Sequence, residues 1–171
     1  LGAFSVEFIH VNHSIADAVS FAKGIAGGLP FGGFLVGERC RKVLGPGTHA
    51  TTFGGNPVCA AAALAVLDIL DDRALAAVRE KSAYLRGAIS GFHSPCLGAP
   101  RGLGLMIGIP VLKGTNKELA ALLVQNGLLC LTAGENTLRL LPPLTISQEE
   151  MDAGLSIMQT VLTHLQEDQT K

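Results

Sequence analysis

Residues 21–33 read FAKGIAGGLPFGG, one lysine between aromatic and small residues, followed by five glycines and a proline. Phe21, Ala22, Ile25 and Ala26 give Lys23 apolar neighbours, and surroundings of that kind disfavour an ammonium charge. A neutral amine attacks a carbonyl to form a Schiff base. The glycines either let a bulky planar group approach the backbone or supply positive φ angles at tight turns. A pair of turns alone accounts for them equally well. Outward from this stretch, DAVSFA (17–22) reads as a strand that delivers Lys23 to the glycine loop, and FGGFLVGE (31–38) as a second apolar strand.

Farther along, GPGTHATTFGGNP (45–57) is a loop by composition. It ends on a helix start, because Asn56 caps, Pro57 suits the first helical position and the alanine-rich run to Leu70 favours helix. Asp71 and Asp72 lead into another helix with Leu75, Val78, Leu85 and Ile89 on one face. From about residue 90 the texture changes. GFHSPCLGAPRG is a linker or domain edge, LGLMIGIPV a strand, and NKELAALLVQNG a helix from Asn116 stopped by Gly127. LLCLT and TLRLLPP are short strands around the turn AGEN. A last helix starts at Ser147, whose capping box Glu150 completes, with Met151, Leu155, Met158, Leu162 and Leu165 as its stripe. The pattern is an α/β chain in two parts, 1–90 and 91–171.

Composition narrows the function. Hydrophobic residues make up 48% and charged residues 16%, the mean hydropathy is +0.40 and the formal net charge is −1. No apolar run approaches the roughly 18 residues of a membrane span. Without a basic stripe, nucleic acid is not an expected partner. A surface this apolar fits an oligomer or larger assembly. Cys40, Cys59, Cys96 and Cys130 are widely spaced, with no C-x-x-C, and read as free thiols of a reducing compartment. His10 and His13 lack a third ligand at a useful interval, so no metal is expected. The opening residues LGAFSVEFIHVNHS carry no signal-peptide pattern and no initiating methionine, and the chain reads as the downstream part of something longer.

Taken in order, DAVSFAKGIAGG, GTHATTFGGNPVCAAAALAVLDIL, RGLGLMIGI and LTAGENTLRLLPPLTIS resemble the class III pyridoxal-phosphate-dependent aminotransferases. The resemblance runs from Asp17 to the C-terminus, and the TTFGGNP loop leans toward the acetylornithine group of that family. It implies the C-terminal part of a fold-type I transferase: the end of a large cofactor-binding domain with connecting helices (1–90) and a small C-terminal α/β domain (91–171). It implies a cytoplasmic homodimer that uses pyridoxal 5'-phosphate on amino-acid and 2-oxo-acid substrates. Lys23 matches the family's Schiff-base lysine, which also moves a proton. Thr52 matches the residue that binds the cofactor phosphate from the partner subunit. The helix start at Asn56–Pro57 adds the positive end of a dipole near that anion. Thr51 stands where the family usually has a substrate-contacting serine. Arg139 matches an arginine that forks onto a substrate carboxylate, a task for which guanidinium is better shaped than ammonium.

Read without the family, Arg139 is an edge-strand arginine paired with a surface carboxylate, the two threonines are turn chemistry and Arg101 is structural. The resemblance also implies that the glycine-rich phosphate loop, the ring-stacking aromatic and the ring-nitrogen aspartate lie upstream of this chain. The segment before Asp17 fits the family poorly. The expected activity is acetylornithine-type transamination. Ornithine, succinylornithine and 4-aminobutyrate aminotransferases and the semialdehyde aminomutase remain alternatives, as does a non-catalytic α/β fragment that dimerises, or pairs with a full-length subunit, through its apolar face.

Overall fold

The computed structural model describes residues 17–168. The opening residues 1–16, the His10–His13 pair among them, lie outside this range. The chain divides into two compact units, 1–76 and 77–171. No helix among the described residues is long and apolar enough to cross a membrane.

In the first unit, β1 (Ala18–Phe21) pairs antiparallel with β2 (Gly33–Val36), Ala18 opposite Val36 and Phe21 opposite Gly33. A two-stranded ribbon is marginal alone. Its support is the helix α1 (Pro57–Ile69), which meets the single 3-10 turn Lys23–Ala26 that follows β1. Ile25, Ala26 and Ala63 are buried together, with Phe21, Phe31 and Ala62 packed against them. The rings of Phe21 and Phe31 lie 6.3 Å apart. Most other large apolar side chains of this unit are uncovered, among them Phe53 at 81% exposure and Ile69 at 72%.

The boundary between the units falls within α2 (Asp72–Gly91). Asp71 caps this helix, its carboxylate accepting from the Ala74 N–H at 2.7 Å. The expected stripe of Leu75, Val78, Leu85 and Ile89 is buried throughout.

The second unit is built on a four-stranded antiparallel sheet in the order β3-β4-β6-β5. The strands are β3 (Arg101–Leu103), β4 (Met106–Pro110), β5 (Leu131–Ala133) and β6 (Thr137–Leu140). The helices are α3 (Asn116–Gln125) and α4 (Gln148–Asp168). Alternation along the strands separates two faces. Ile107, Ile109, Leu138 and Leu140 are buried on one face, and Arg101, Gly108, Thr137 and Arg139 lie on the other. Leu119 and Leu123 of α3 are buried, as are Met151, Leu155, Met158 and Leu162 of α4. The remainder of α2 is tied in by hydrogen bonds from Lys81 Nζ to the Leu144 carbonyl and from Ser82 Oγ to the Gly104 carbonyl.

The expected capping box of Ser147 and Glu150 is formed, and the structure adds a second. Thr115 and Glu118 exchange side-chain and backbone bonds at the start of α3, as do Ser147 and Glu150 at the start of α4. Asn116, only 2% exposed, sends its Nδ2 to the carbonyls of Gly134 and Thr137, fixing the start of α3 to the β5–β6 turn.

One expected element differs. LGLMIGIPV is not a single strand, because Arg101–Leu103 folds back on Met106–Pro110 with Leu103 opposite Met106. The reversal requires glycine: Gly104 has φ +53, and Gly102 has φ +125 with the Met106 carbonyl oxygen where a Cβ would stand. Gly102→Ala should therefore destabilise the complete protein by about 3 kcal/mol or more, through forbidden backbone and a steric clash. Gly87→Ala, on an exposed turn of α2 with open space at the Cβ position, should stabilise by about 0.5–1 kcal/mol. Urea titration of the two variants should show midpoints moving in opposite directions.

Candidate functional site

The first unit holds Lys23, Thr51 and Thr52. β1 ends in fully extended Ala22, φ −166 and ψ −155, and the chain then reverses sharply at Lys23, whose φ is +61. A side chain other than glycine, asparagine or aspartate is uncommon there, at a cost of order 1–3 kcal/mol, and such residues gather at functional positions. Gly27, in left-handed conformation, closes the turn by donating its N–H to the Gly24 carbonyl at 3.1 Å. Downstream, Gly32 and Gly33 lie against β1: a Cβ on Gly33 would stand 2.8 Å from the Phe21 ring. These two glycines thus serve close packing, whereas Gly24 and Gly28 face open space.

The apolar enclosure expected of Lys23 is not supplied by the described residues. Ile25 and Ala26 are buried, but they turn into the core, while Ala22 and Lys23 itself are exposed. The reason is the short 3-10 turn, which puts alternate pairs of residues on opposite sides. Among the described residues the Lys23 amine has no hydrogen bond or ion pair.

Thr51 and Thr52 are exposed in the loop before α1. The Gly54 N–H donates to the Thr51 carbonyl at 3.4 Å, and the Thr51 methyl occupies the space where a Gly54 side chain would go. The same helix therefore carries both features: its middle, through Ala62 and Ala63, backs the lysine turn, and its start follows the threonine loop. The Asn56 side chain accepts from the N–H groups of Val58 and Cys59 at 3.0 and 3.3 Å. With Pro57 lacking an N–H, this helix start offers an anion its dipole while its first free donors are already capped.

The second unit holds Arg139. Its strand β6 lies between β4 and β5, with Gly108 opposite Arg139 on one side and Leu131 on the other. The edge-strand reading of this arginine is thus corrected: the chain inserts β6 into the sheet, an order that strand sequence does not reveal. Nor is it paired with a surface carboxylate among the described residues. Arg139 is half-buried, and its Nε is buried without a hydrogen-bond partner among those residues. An unsatisfied buried donor costs about 1–3 kcal/mol, more when charged, so this one calls for a water, a ligand or a further protein group.

The profile of the aminotransferase class-III family matches residues 4–162. The chain belongs to the class-III aminotransferases. Members of this family use pyridoxal 5'-phosphate. Among its relatives, an acetylornithine aminotransferase from Bifidobacterium longum is 36% identical over 154 residues, covering 89% of this chain and 36% of the relative. One from Mycobacterium bovis is 40% identical over 165 residues, 94% of this chain and 40% of the relative. The crystal structure of acetylornithine aminotransferase from Elizabethkingia anophelis superposes with a TM-score of 0.79 at 28% identity, over 91% of this chain and 43% of that one. The chain thus spans about two fifths of the length of the relatives it matches.

The register also brings Arg101, structural by its sequence, onto the face that bears Arg139: its Nη2 donates at 3.2 Å to Oγ1 of Thr137, two residues before Arg139. Only the sheet register exposes this meeting. Because Asn56 secures the start of the helix that carries the threonine loop, Asn56→Ala should cost about 1 kcal/mol of stability. Hydrogen exchange should quicken first at the amides of Val58 and Cys59, while Asn56→Asp should keep the protection.

Proposed function

We propose that this class-III chain is the C-terminal portion of an acetylornithine-type aminotransferase, moving the terminal amino group of N-acetylornithine to 2-oxoglutarate. The observation that carries this reading is Lys23, a lysine held in left-handed backbone at an exposed, glycine-flanked turn with no partner for its amine among the described residues. That arrangement fits pyridoxal 5'-phosphate: the amine is free to bond an aldehyde, and open space around Gly24 and Gly28 leaves room for a planar ring. Thr52 would hold the phosphate through its exposed hydroxyl, in the neighbouring subunit of a cytoplasmic homodimer. The uncovered apolar side chains of the first unit support a covering partner, whether the remainder of the polypeptide or a second copy.

When bound, the cofactor draws electrons from the amine-bearing carbon of the substrate and so makes its proton labile. Lys23 Nζ would take that proton from the amine-bearing carbon and deliver it across the nitrogen to the carbon on its far side, a general acid–base task that requires the amine uncharged when it accepts the proton. Burial by the rest of the enzyme would supply the desolvation that this chain leaves out. Thr51 offers a hydroxyl to the substrate. Arg139 grips a substrate carboxylate with Nε and a terminal nitrogen in parallel, satisfying the donor that the sheet leaves unmatched. The proposed domain division places 1–90 with the large domain and 91–171 as the small one.

Two experiments on the complete enzyme test the reading. Borohydride reduction should fix the cofactor to the peptide that contains Lys23, and label on any other lysine would remove Lys23 from its role. Arg139→Lys should keep charge and thermal stability while lowering kcat/KM for the carboxylate substrates by about 10- to 150-fold, the equivalent of a lost charge-assisted pair. A variant with lowered stability but unchanged kcat/KM would show that Arg139 only braces β6.

A further inference from the structure

Among the described residues the buried polar side chains are Ser82, Asn116 and Thr137, and the last two meet at the start of β6. Asn116 is the first residue of α3, and the capping box holds that helix start: the Thr115 N–H donates to Glu118 Oε2 at 3.0 Å and the Glu118 N–H to Thr115 Oγ1 at 3.2 Å. The buried amide is thus carried on a fixed base. Its Nδ2 donates to the Gly134 carbonyl at 3.3 Å and to the Thr137 carbonyl at 3.1 Å. Ala133 and Thr137 face each other across the β5–β6 loop of residues 134–136. One side-chain nitrogen therefore bridges that loop from its first residue to the strand that follows.

The loop has need of an outside clamp. A hairpin ordinarily takes its register from its turn, and the common three-residue loop puts its left-handed residue last. Here the left-handed residue is the first, Gly134 at φ +56, and neither Glu135 nor Asn136 has positive φ. Nor does the hydrophobic pattern fix the register. It has a period of two, so a shift of two residues would leave Leu138 and Leu140 on the same face and set Thr137 where Arg139 stands. Asn116 distinguishes the two arrangements, because its acceptors are the carbonyls of two particular residues. The Val111 N–H, donating to the Asn136 carbonyl at 2.7 Å, holds the same loop to the end of β4.

Arg139 is the third residue of the four-residue β6, about 7 Å beyond Thr137. It makes no hydrogen bond or ion pair among the described residues, and its Nε is buried without a partner. Its placement is therefore set by its backbone. We propose that Asn116 is a positioning residue for Arg139: by clamping the start of β6 it holds the arginine opposite Gly108 and Leu131, so that Nε and a terminal nitrogen meet a substrate carboxylate in parallel. This rests on the carboxylate role proposed for Arg139. Asn116 itself touches no substrate.

A double-mutant cycle on the complete enzyme, read with 2-oxoglutarate, tests it. Asn116→Ala should raise KM about fivefold, within the range of one or two lost hydrogen bonds, with kcat within about twofold and the visible absorption of the lysine-bound cofactor unchanged. In an Arg139→Lys background the same substitution should raise KM by no more than about twofold, since aim matters only while the fork is there to be aimed. If Asn116→Ala lowers the melting temperature and leaves KM unchanged, or raises KM equally in both backgrounds, Asn116 is a brace and the inference falls while the role of Arg139 stands. Should Asn116→Ala fail to fold, Thr115→Ala decides, because it loosens the helix start and leaves the amide in place: a KM raised about twofold only where Arg139 is present supports the proposal, and an unchanged KM overturns it. If Arg139→Lys alone leaves KM and kcat/KM unaltered, the carboxylate role itself fails, and the positioning role with it.

Discussion

Everything proposed for the first unit depends on a small contact, Ile25 and Ala26 buried against Ala63. Only small residues on α1 let the 3-10 turn approach this closely, and the approach holds Lys23 in left-handed backbone. A lysine left to itself would relax to negative φ. Instead the core behind it, the glycine that closes the turn and the ribbon of β1 and β2 determine its conformation together. Such overdetermined strain is characteristic of residues whose direction matters more than their local stability.

The two units differ in how far they satisfy themselves. In the second, alternation sorts the strands into a buried aliphatic face and an arginine-bearing face, and both helices with capping boxes are fastened at their starts. In the first, three buried residues make the core cluster while Phe34, Leu35, Val43, Phe53 and Val58 stay exposed. The chain spans about two fifths of the length of its relatives, and these uncovered apolar side chains are the support for the covering partner proposed above.

What could be read from the sequence was local or strongly patterned. Asn56–Pro57, Ser147 with Glu150, and the stripes of α2 and α4 are decided within a few residues, and the structure shows each of them. The family could also be read, because four motifs occur in order. What could not be read depends on distant pairing. The glycines of RGLGLMIG looked like interruptions of one strand, although they make a reversal. TLRLLPP carries no sign that β6 enters the sheet between β4 and β5, so without the family Arg139 reads as an edge residue. Arg101 reaches Thr137 only because the register sets Gly108 between them. The exposure of Lys23 was hidden for the opposite reason: its neighbours in sequence are apolar, but the turn directs Ile25 and Ala26 away from it.

The central claim is that Lys23 and Arg139 belong to a transaminating enzyme. It is tested most directly by following the visible absorption of the cofactor in the complete protein as substrates are added one at a time. N-acetylornithine alone should bleach the absorption of the lysine-bound form, and 2-oxoglutarate added afterwards should restore it, with both steps lost in Lys23→Ala. An absorption that neither substrate alters, or that cycles unchanged without Lys23, would contradict the account.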